Sequence, residues 1–264
     1  MPTPIHAAMF FAVLAGLMLG SFLNVCILRL PSGESVSHPR SHCPACQRTI
    51  RARDNVPVLS WLWLRGRCRD CKAAISVQYP MVEAATALLF AACVWHTGLQ
   101  WTTLLDATLA YLALGLAVMD ARTLLLPDEF TLGGLALAIL LHGLQPGETH
   151  RLWQMAHAAE AAAWAALLLL CIRWLYRWLR KREGLGLGDV KLLAMIAAFL
   201  GLPLAWLTLF LAIVGGAAWA LVQLARGQSG AEHKMPLGSY LAGAAIVTLF
   251  VGKPILHWYL GFFR

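Results

Sequence analysis

The sequence predicts an all-α polytopic membrane protein of about eight transmembrane helices, with one small folded loop between the first two. Three observations lead there. Hydrophobic residues make up 59% of the 264-residue chain and charged residues only 13%. Apolar runs of about 20 residues, long enough to cross a bilayer core of roughly 30 Å, recur along it. Basic residues gather between those runs, and four of the seven cysteines fall in one polar stretch as two C-x-x-C pairs.

The first apolar run, Ala7 to Leu28, carries no charge. No basic segment precedes it and no small-residue cleavage site follows, so a retained helix is expected rather than a removed signal. Further spans are expected at about 82–100, 102–119, 130–146, 155–176, 190–201, 204–224 and 238–258. Residues 192–222 are too many for one ordinary span and too few for two full ones. The "GLP" at 201–203 supplies a turn, because proline resists helix continuation and glycine permits reversal. A short helix there is tolerated if protein rather than lipid surrounds it.

The formal charge of +8 raises a nucleic-acid surface as a reading, but the distribution argues against it. Nine of 21 basic residues lie between Arg29 and Lys72, and five more are Arg173, Arg177, Arg180, Lys181 and Arg182. With the N-terminus outside, the loops put 18 Lys and Arg on the inner side, counting Arg122, Lys191, Arg226 and Lys234. Only Arg151, Lys253 and Arg264 fall outside. Such bias marks the cytoplasmic face. Three regions are expected: a first helix at 1–28, a cytoplasmic loop domain at 29–80 and a membrane domain at 81–264. No internal repeat is evident.

The loop contains "CPAC" (Cys43, Cys46) and "CRDC" (Cys68, Cys71). Two C-x-x-C knuckles at this separation are the pattern of a four-thiolate zinc site. The loop is too small for much of a core, so a metal would supply stability that burial cannot. Disulfides or a redox pair are the competing reading; a reducing cytoplasmic face disfavours the first, and a redox motif needs no duplicate. A zinc-stabilised cytoplasmic domain is therefore expected. Cys26, Cys93 and Cys171 lie in apolar runs, where buried cysteine is unremarkable.

Five acids lie inside or at the edge of apolar runs: Glu83, Asp106, Asp120, Glu160 and Asp189. Ionisable groups there are costly, which makes each a candidate for function. Glu83, just after "YPMV", reads equally as a first-turn acid favoured by the helix dipole. Asp106 and Glu160, toward outer helix ends, read as structural. Asp120 ends an outward-to-inward span and Asp189 begins one leaving the inner face, so topology brings both to the same depth. Two carboxylates meeting in a partly dry site share one proton and can activate a water while protonating a departing amine. The competing reading is two unrelated helix-end acids. Asp128 and Glu129 in "LPDEF" read as first-turn acids behind Pro127. Gly186 and Gly188 in "GLGLGD" would let an extended backbone approach the acid closely; otherwise they are a flexible lead into a helix.

Together these features resemble the type IV prepilin peptidases, membrane aspartyl proteases of the G-x-G-D kind. "GSFLNVCILRLP" at 20–31, "NVPVLSWLWLRGRC" at 55–68 and "ISVQYPMVE" at 75–83 follow in that family's order. "DARTLLLPDE" at 120–129 and "GLGLGDVKL" at 184–192 come next. The resemblance implies Asp120 and Asp189 as the catalytic pair, with Gly186 and Gly188 as the glycines of the G-x-G-D motif and Lys191, just after it, as a residue shaping the site. It implies zinc in the cysteine loop and placement in a bacterial inner membrane, with the site facing the cytoplasm. The implied substrates are prepilins or pseudopilins, whose basic leader is cleaved after a glycine. The new N-terminus, usually phenylalanine, is then methylated from S-adenosylmethionine. Glu83, Asp128 and Glu129 are the acids available to a basic leader. The family often shows P-F-G-P near the last span; "MPLGSYL" keeps Pro236 and Gly238 but has Leu237 and Ser239. No glycine-rich methyl-donor fingerprint occurs. A peptidase without methyltransferase activity, a transporter with intramembrane acids and a non-catalytic zinc scaffold stand as alternatives.

Overall fold

A computed structural model describes residues 4–147, 149–181, 185–226 and 236–262. Arg182, Lys234 and Arg264, counted in the charge bias, lie outside the described residues. The helices run α1 (Pro4–Arg29), a short α2 (Leu59–Trp63), α3 (Gln78–Thr97), α4 (Trp101–Thr123), α5 (Asp128–Gly143), α6 (Arg151–Arg180), α7 (Leu187–Leu200), α8 (Leu202–Ala225) and α9 (Leu237–Gly261). Among the described residues, six of these are long and apolar enough to cross a membrane: α1, α3, α4, α6, α8 and α9. The other two expected spans are present as shorter helices, α5 of 16 residues and α7 of 14.

The chain divides into two compact units, Met1–Thr103 and Leu104–Arg264. In the first, α1 packs along α3. Small residues make this possible: a Cβ on Gly16 would lie 2.6 Å from the Ala87 Cα, and one on Gly20 would lie 2.8 Å from the Glu83 Cα. Close backbone approach of this kind is how membrane helices gain dispersion contact, since lipid is as apolar as leucine. Asn24 fastens the same interface, donating to the Gly20 carbonyl at 3.3 Å and to the Tyr79 carbonyl at 3.0 Å. Thus α3, grouped by sequence with the later helices, packs with the first.

In the second unit α7 is the central helix. Nine of its residues, Val190 and Leu192 through Phe199, are buried, and it packs against α5, α6, α8 and α9. That enclosure is why 14 residues suffice: protein, not lipid, surrounds the short helix. Gly134 of α5 is the close point, where a Cβ would meet Met195 at 2.5 Å and Leu112 at 2.8 Å. His142 adds a hydrogen bond between its Nε2 and the Ala198 carbonyl oxygen at 3.1 Å. The turn at "GLP" is where it was expected: α7 stops at Leu200, Gly201 takes φ 81°, and Pro203 sits in the first turn of α8. Pro127 likewise caps α5, with Asp128 and Glu129 in its first turn.

Between α1 and α3 the loop folds around its cysteines. The Cys43 N–H bonds to the Arg48 carbonyl, the Gln47 N–H to the Cys43 carbonyl, and the Ile50 N–H to the Ser41 carbonyl. The same three bonds recur in the second half: Cys68 to Ala73, Lys72 to Cys68, and Ile75 to Gly66. Gln47 and Lys72, each directly after the second cysteine, both take positive φ, 59° and 62°. The loop is a tandem of two knuckles, a repeat invisible in the sequence beyond the cysteines themselves.

Candidate active site

In α4, Asp120 lies near the C-terminal end and is 5% exposed. Its orientation is set by the start of α9. The Ser239 N–H donates to Asp120 Oδ2 at 2.6 Å, and Ser239 Oγ lies 3.0 Å from that oxygen and 3.0 Å from the Ala117 carbonyl. One hydroxyl proton thus has two acceptors, while the backbone N–H serves the acid. Pro236 caps α9. Gly238 is buried against the acid: a Cβ there would lie 2.9 Å from Asp120 Cγ and Oδ2, and 2.9 Å from Leu126 Cδ1.

Asp189 is the third residue of α7, behind an N-cap at Gly186. Its carboxylate accepts the Gly186 N–H, the arrangement in which a third-position acid reaches back to the cap. Gly186 leaves little room beside it: a Cβ would stand 3.1 Å from Asp189 Oδ2. A Cβ on Gly188 would meet Leu126 Cδ1 at 3.0 Å. Leu126 is therefore a neighbour shared by Gly238, beside one acid, and Gly188, beside the other. Arg173 of α6 donates to the Leu185 carbonyl and so holds the segment leading into α7.

Lys191 and Asp128 are brought together by this geometry. Lys191 Nζ stands 2.6 Å from Asp128 Oδ1, an exposed pair tying the first turn of α7 to that of α5. Glu129, beside it, is exposed. Glu83 is in the first unit and has a different setting from a first-turn acid. It is the sixth residue of α3, 7% exposed, and accepts the Val58 N–H at 2.6 Å. Glu160 lies 4.0 Å from His157, both exposed. Cys26 and Cys93 are buried but Cys171 is exposed. Ser239 is the residue sequence reasoning missed. Its signal was present only as a departure from a motif, and its partner lies 119 residues away.

The four loop cysteines form the one cluster of metal-ligating side chains among the described residues. Their sulfurs all lie within 4.8 Å of one another, with Cys43 Sγ and Cys71 Sγ 3.7 Å apart. Four sulfurs at about 2.3 Å from a tetrahedral ion stand about 3.8 Å apart along each edge, so this donor set fits zinc. Backbone N–H groups of Cys46 and Ala45 hold the Cys43 thiol down, to about 7, while desolvation and the neighbouring cysteines push Cys71 up, to about 11. Around the knuckles, Asp54 takes Arg69 Nε at 2.9 and 2.8 Å and its Nη2 at 2.6 Å. That bidentate guanidinium holds the Asp54 carboxyl below the usual carboxylate range.

Comparison with known proteins agrees with this division. Residues 14–97 match the model for the bacterial peptidase A24 N-terminal domain, and residues 107–221 match that for the type IV leader peptidase family. The prepilin leader peptidase/N-methyltransferase of Stutzerimonas stutzeri is 35% identical, over 96% of this chain and 94% of its own. The protein of that name from Aeromonas salmonicida strain A449 is 37% identical, over 94% and 92% of the two chains. That from Pseudomonas aeruginosa is 34% identical, over 95% and 92%. No solved structure matches. The chain belongs to the type IV leader peptidase family.

Proposed function

We propose that this protein is a prepilin leader peptidase and N-methyltransferase, and that Asp120 and Asp189 form its aspartyl dyad. What supports the dyad is that Gly238, packed against Asp120 from the end of α4, and Gly188, next to Asp189 at the start of α7, both adjoin Leu126. In such a pair one carboxyl holds a proton and the other is ionised. The ionised oxygen takes a proton from water as the water oxygen bonds to the scissile carbonyl carbon. The protonated carboxyl gives its proton to the carbonyl oxygen. On collapse the carbon–nitrogen bond breaks and the departing amine takes a proton from the dyad, leaving a new carboxylate and a new N-terminus.

The surroundings suit this role. Ser239 orients Asp120 through Oδ2, and the Gly186 N–H orients Asp189, so neither acid needs to reorganise during the reaction. Gly186 and Gly188 let Asp189 and Leu126 pack closely against the backbone before the acid, where a side chain would crowd them. Asp128 and Glu129 stand at the exposed rim for a basic leader, although Asp128 must be shared with Lys191. The biased loops favour an inner-membrane protein with this site toward the cytoplasm, where a leader would enter while the pilin helix stays in the bilayer.

The second activity rests on the relatives' names and on the retained cysteine loop, which Cys43, Cys46, Cys68 and Cys71 would organise around zinc. Zinc would supply structure there rather than a reactive position, because all four ligands come from protein. The new N-terminal amine, neutral, attacks the methyl carbon of S-adenosylmethionine; the sulfonium bond breaks and the amine sheds a proton. The test is a purified protein in detergent, a prepilin and S-adenosylmethionine, followed by mass spectrometry. Loss of the leader and gain of one methyl are expected. Leader loss without methylation in the zinc-loaded protein would leave a peptidase alone, and intact prepilin would overturn both.

A further inference from the structure

Helix α2 carries an apolar face that nothing in its own unit covers. Leu59 is 64% exposed, Leu62 58% and Trp63 84%. The opposite side is spoken for: Trp61 donates its Nε1–H to the Ile75 carbonyl at 3.1 Å, and its ring would lie 2.9 Å from a Cβ on Gly66. The short helix is therefore oriented, not loosely draped. Arg51, Arg53, Arg65 and Arg67, which flank it in sequence, are all exposed, while the acids Asp54 and Asp70 are occupied by Arg69 and Arg48.

The height of α2 is set by its first residues. Glu83, buried in the membrane-spanning helix α3, accepts the N–H of Val58, the residue that caps α2. Glu83 is the sixth residue of α3, and at 1.5 Å of rise per residue that lies about 8 Å below the helix start. That bond holds the beginning of α2 beside the first two turns of a helix long and apolar enough to cross a membrane. Exposed leucine and tryptophan flanked by arginine suit a membrane interface, in which apolar side chains reach about 5–10 Å into the headgroup and acyl boundary and arginine meets anionic headgroups.

We propose that α2 is a membrane-docking element: Leu59, Leu62 and Trp63 insert into the interface of an anionic phospholipid leaflet, with the surrounding arginines on its headgroups. The bilayer then orients the cysteine loop, since α2 joins the two knuckles in sequence.

Full-length protein in nanodiscs of phosphatidylethanolamine and phosphatidylglycerol tests this without reference to activity. The photo-crosslinking residue p-benzoylphenylalanine is placed at Trp63, at Leu62 or, as an exposed polar control on the first knuckle, at Thr49, and adducts are identified by mass spectrometry. Phospholipid adducts several-fold above the control at both apolar positions are expected. Cross-links from those positions into another part of the chain, or into an added prepilin, overturn the proposal, as do lipid adducts no greater than the control. A second measurement needs no unnatural residue. In nanodiscs containing lipid brominated near the headgroup, Trp63→Phe should lower the quenched fraction of tryptophan fluorescence. An unchanged fraction overturns the proposal even if a cross-linker variant fails to fold.

Discussion

Ser239 places its N–H and its hydroxyl within hydrogen-bond reach of one oxygen of Asp120. A proline at that position, as the related motif often has, offers neither donor. Here both donors are present, and sequence marked the spot without its consequence. Ser239→Ala should slow leader cleavage by about tenfold, since a hydrogen bond to a charged group is worth ~1.5 kcal/mol. Ser239→Pro, which also removes the N–H, should slow it further. Rates for both variants equal to that of the native chain would remove Ser239 from the account. Asp120 and Asp189 stood out in the sequence because a carboxylate in an apolar run is costly and demands a reason. Glu83 was legible as unusual but not in its partner: a bond to the backbone of Val58, 25 residues earlier, leaves no local trace. The pairing of Lys191 with Asp128, 63 residues apart, was hidden for the same cause.

At the scale of elements, two interfaces carry tests. Gly20 admits α3 so closely that any larger side chain must push the Glu83 backbone away. Gly20→Leu should destabilise the first unit by about 1–3 kcal/mol, the usual cost of overpacking, read as a lower thermal midpoint in detergent. In the cysteine loop, Cys43→Ser should lower bound zinc measured by elemental analysis; unchanged metal content would refute the four-thiolate set. The Asp54–Arg69 pair adds a pH dependence. A carboxyl lowered on folding favours the folded loop above its unfolded value of about 3.9, and that contribution is lost as pH falls through the lower, folded value. Asp54→Asn should therefore lower the thermal midpoint at neutral pH, with the difference from the native chain shrinking as pH falls through that lower value. Apolar run length found the helices because lipid imposes length directly. It ran α3 late and α6 short, at 82–100 and 155–176 against the observed Gln78–Thr97 and Arg151–Arg180. Helix ends there follow from backbone hydrogen bonds that continue past the apolar stretch into arginine and glutamine. The tandem knuckles escaped notice because their repeat lies in backbone bonding and in the positive φ just after the second cysteine of each pair, not in side chains.

For the whole molecule, the division at Thr103 and Leu104 coincides with the gap between the two matching family models, which end at 97 and begin at 107. One unit holds the cysteine loop and the α1–α3 pair. The other holds both acids, Ser239, the Lys191–Asp128 pair and the enclosed helix α7. Within that second unit, α7 is buried on nearly every side, so the acid at its start is presented from a rigid element rather than a loop. The central claim is that the two acids act as one device. It is tested by measuring leader cleavage in Asp120→Asn, Asp189→Asn and the double variant, each confirmed to keep the native thermal midpoint. Residues acting as a unit are not additive, and losing one arm of acid–base chemistry costs about 10²–10⁴-fold. Each single variant should lose at least that much, and the double variant should be no slower than the worse single. Normal cleavage by either single variant, or a double loss equal to the product of the two, would contradict the account.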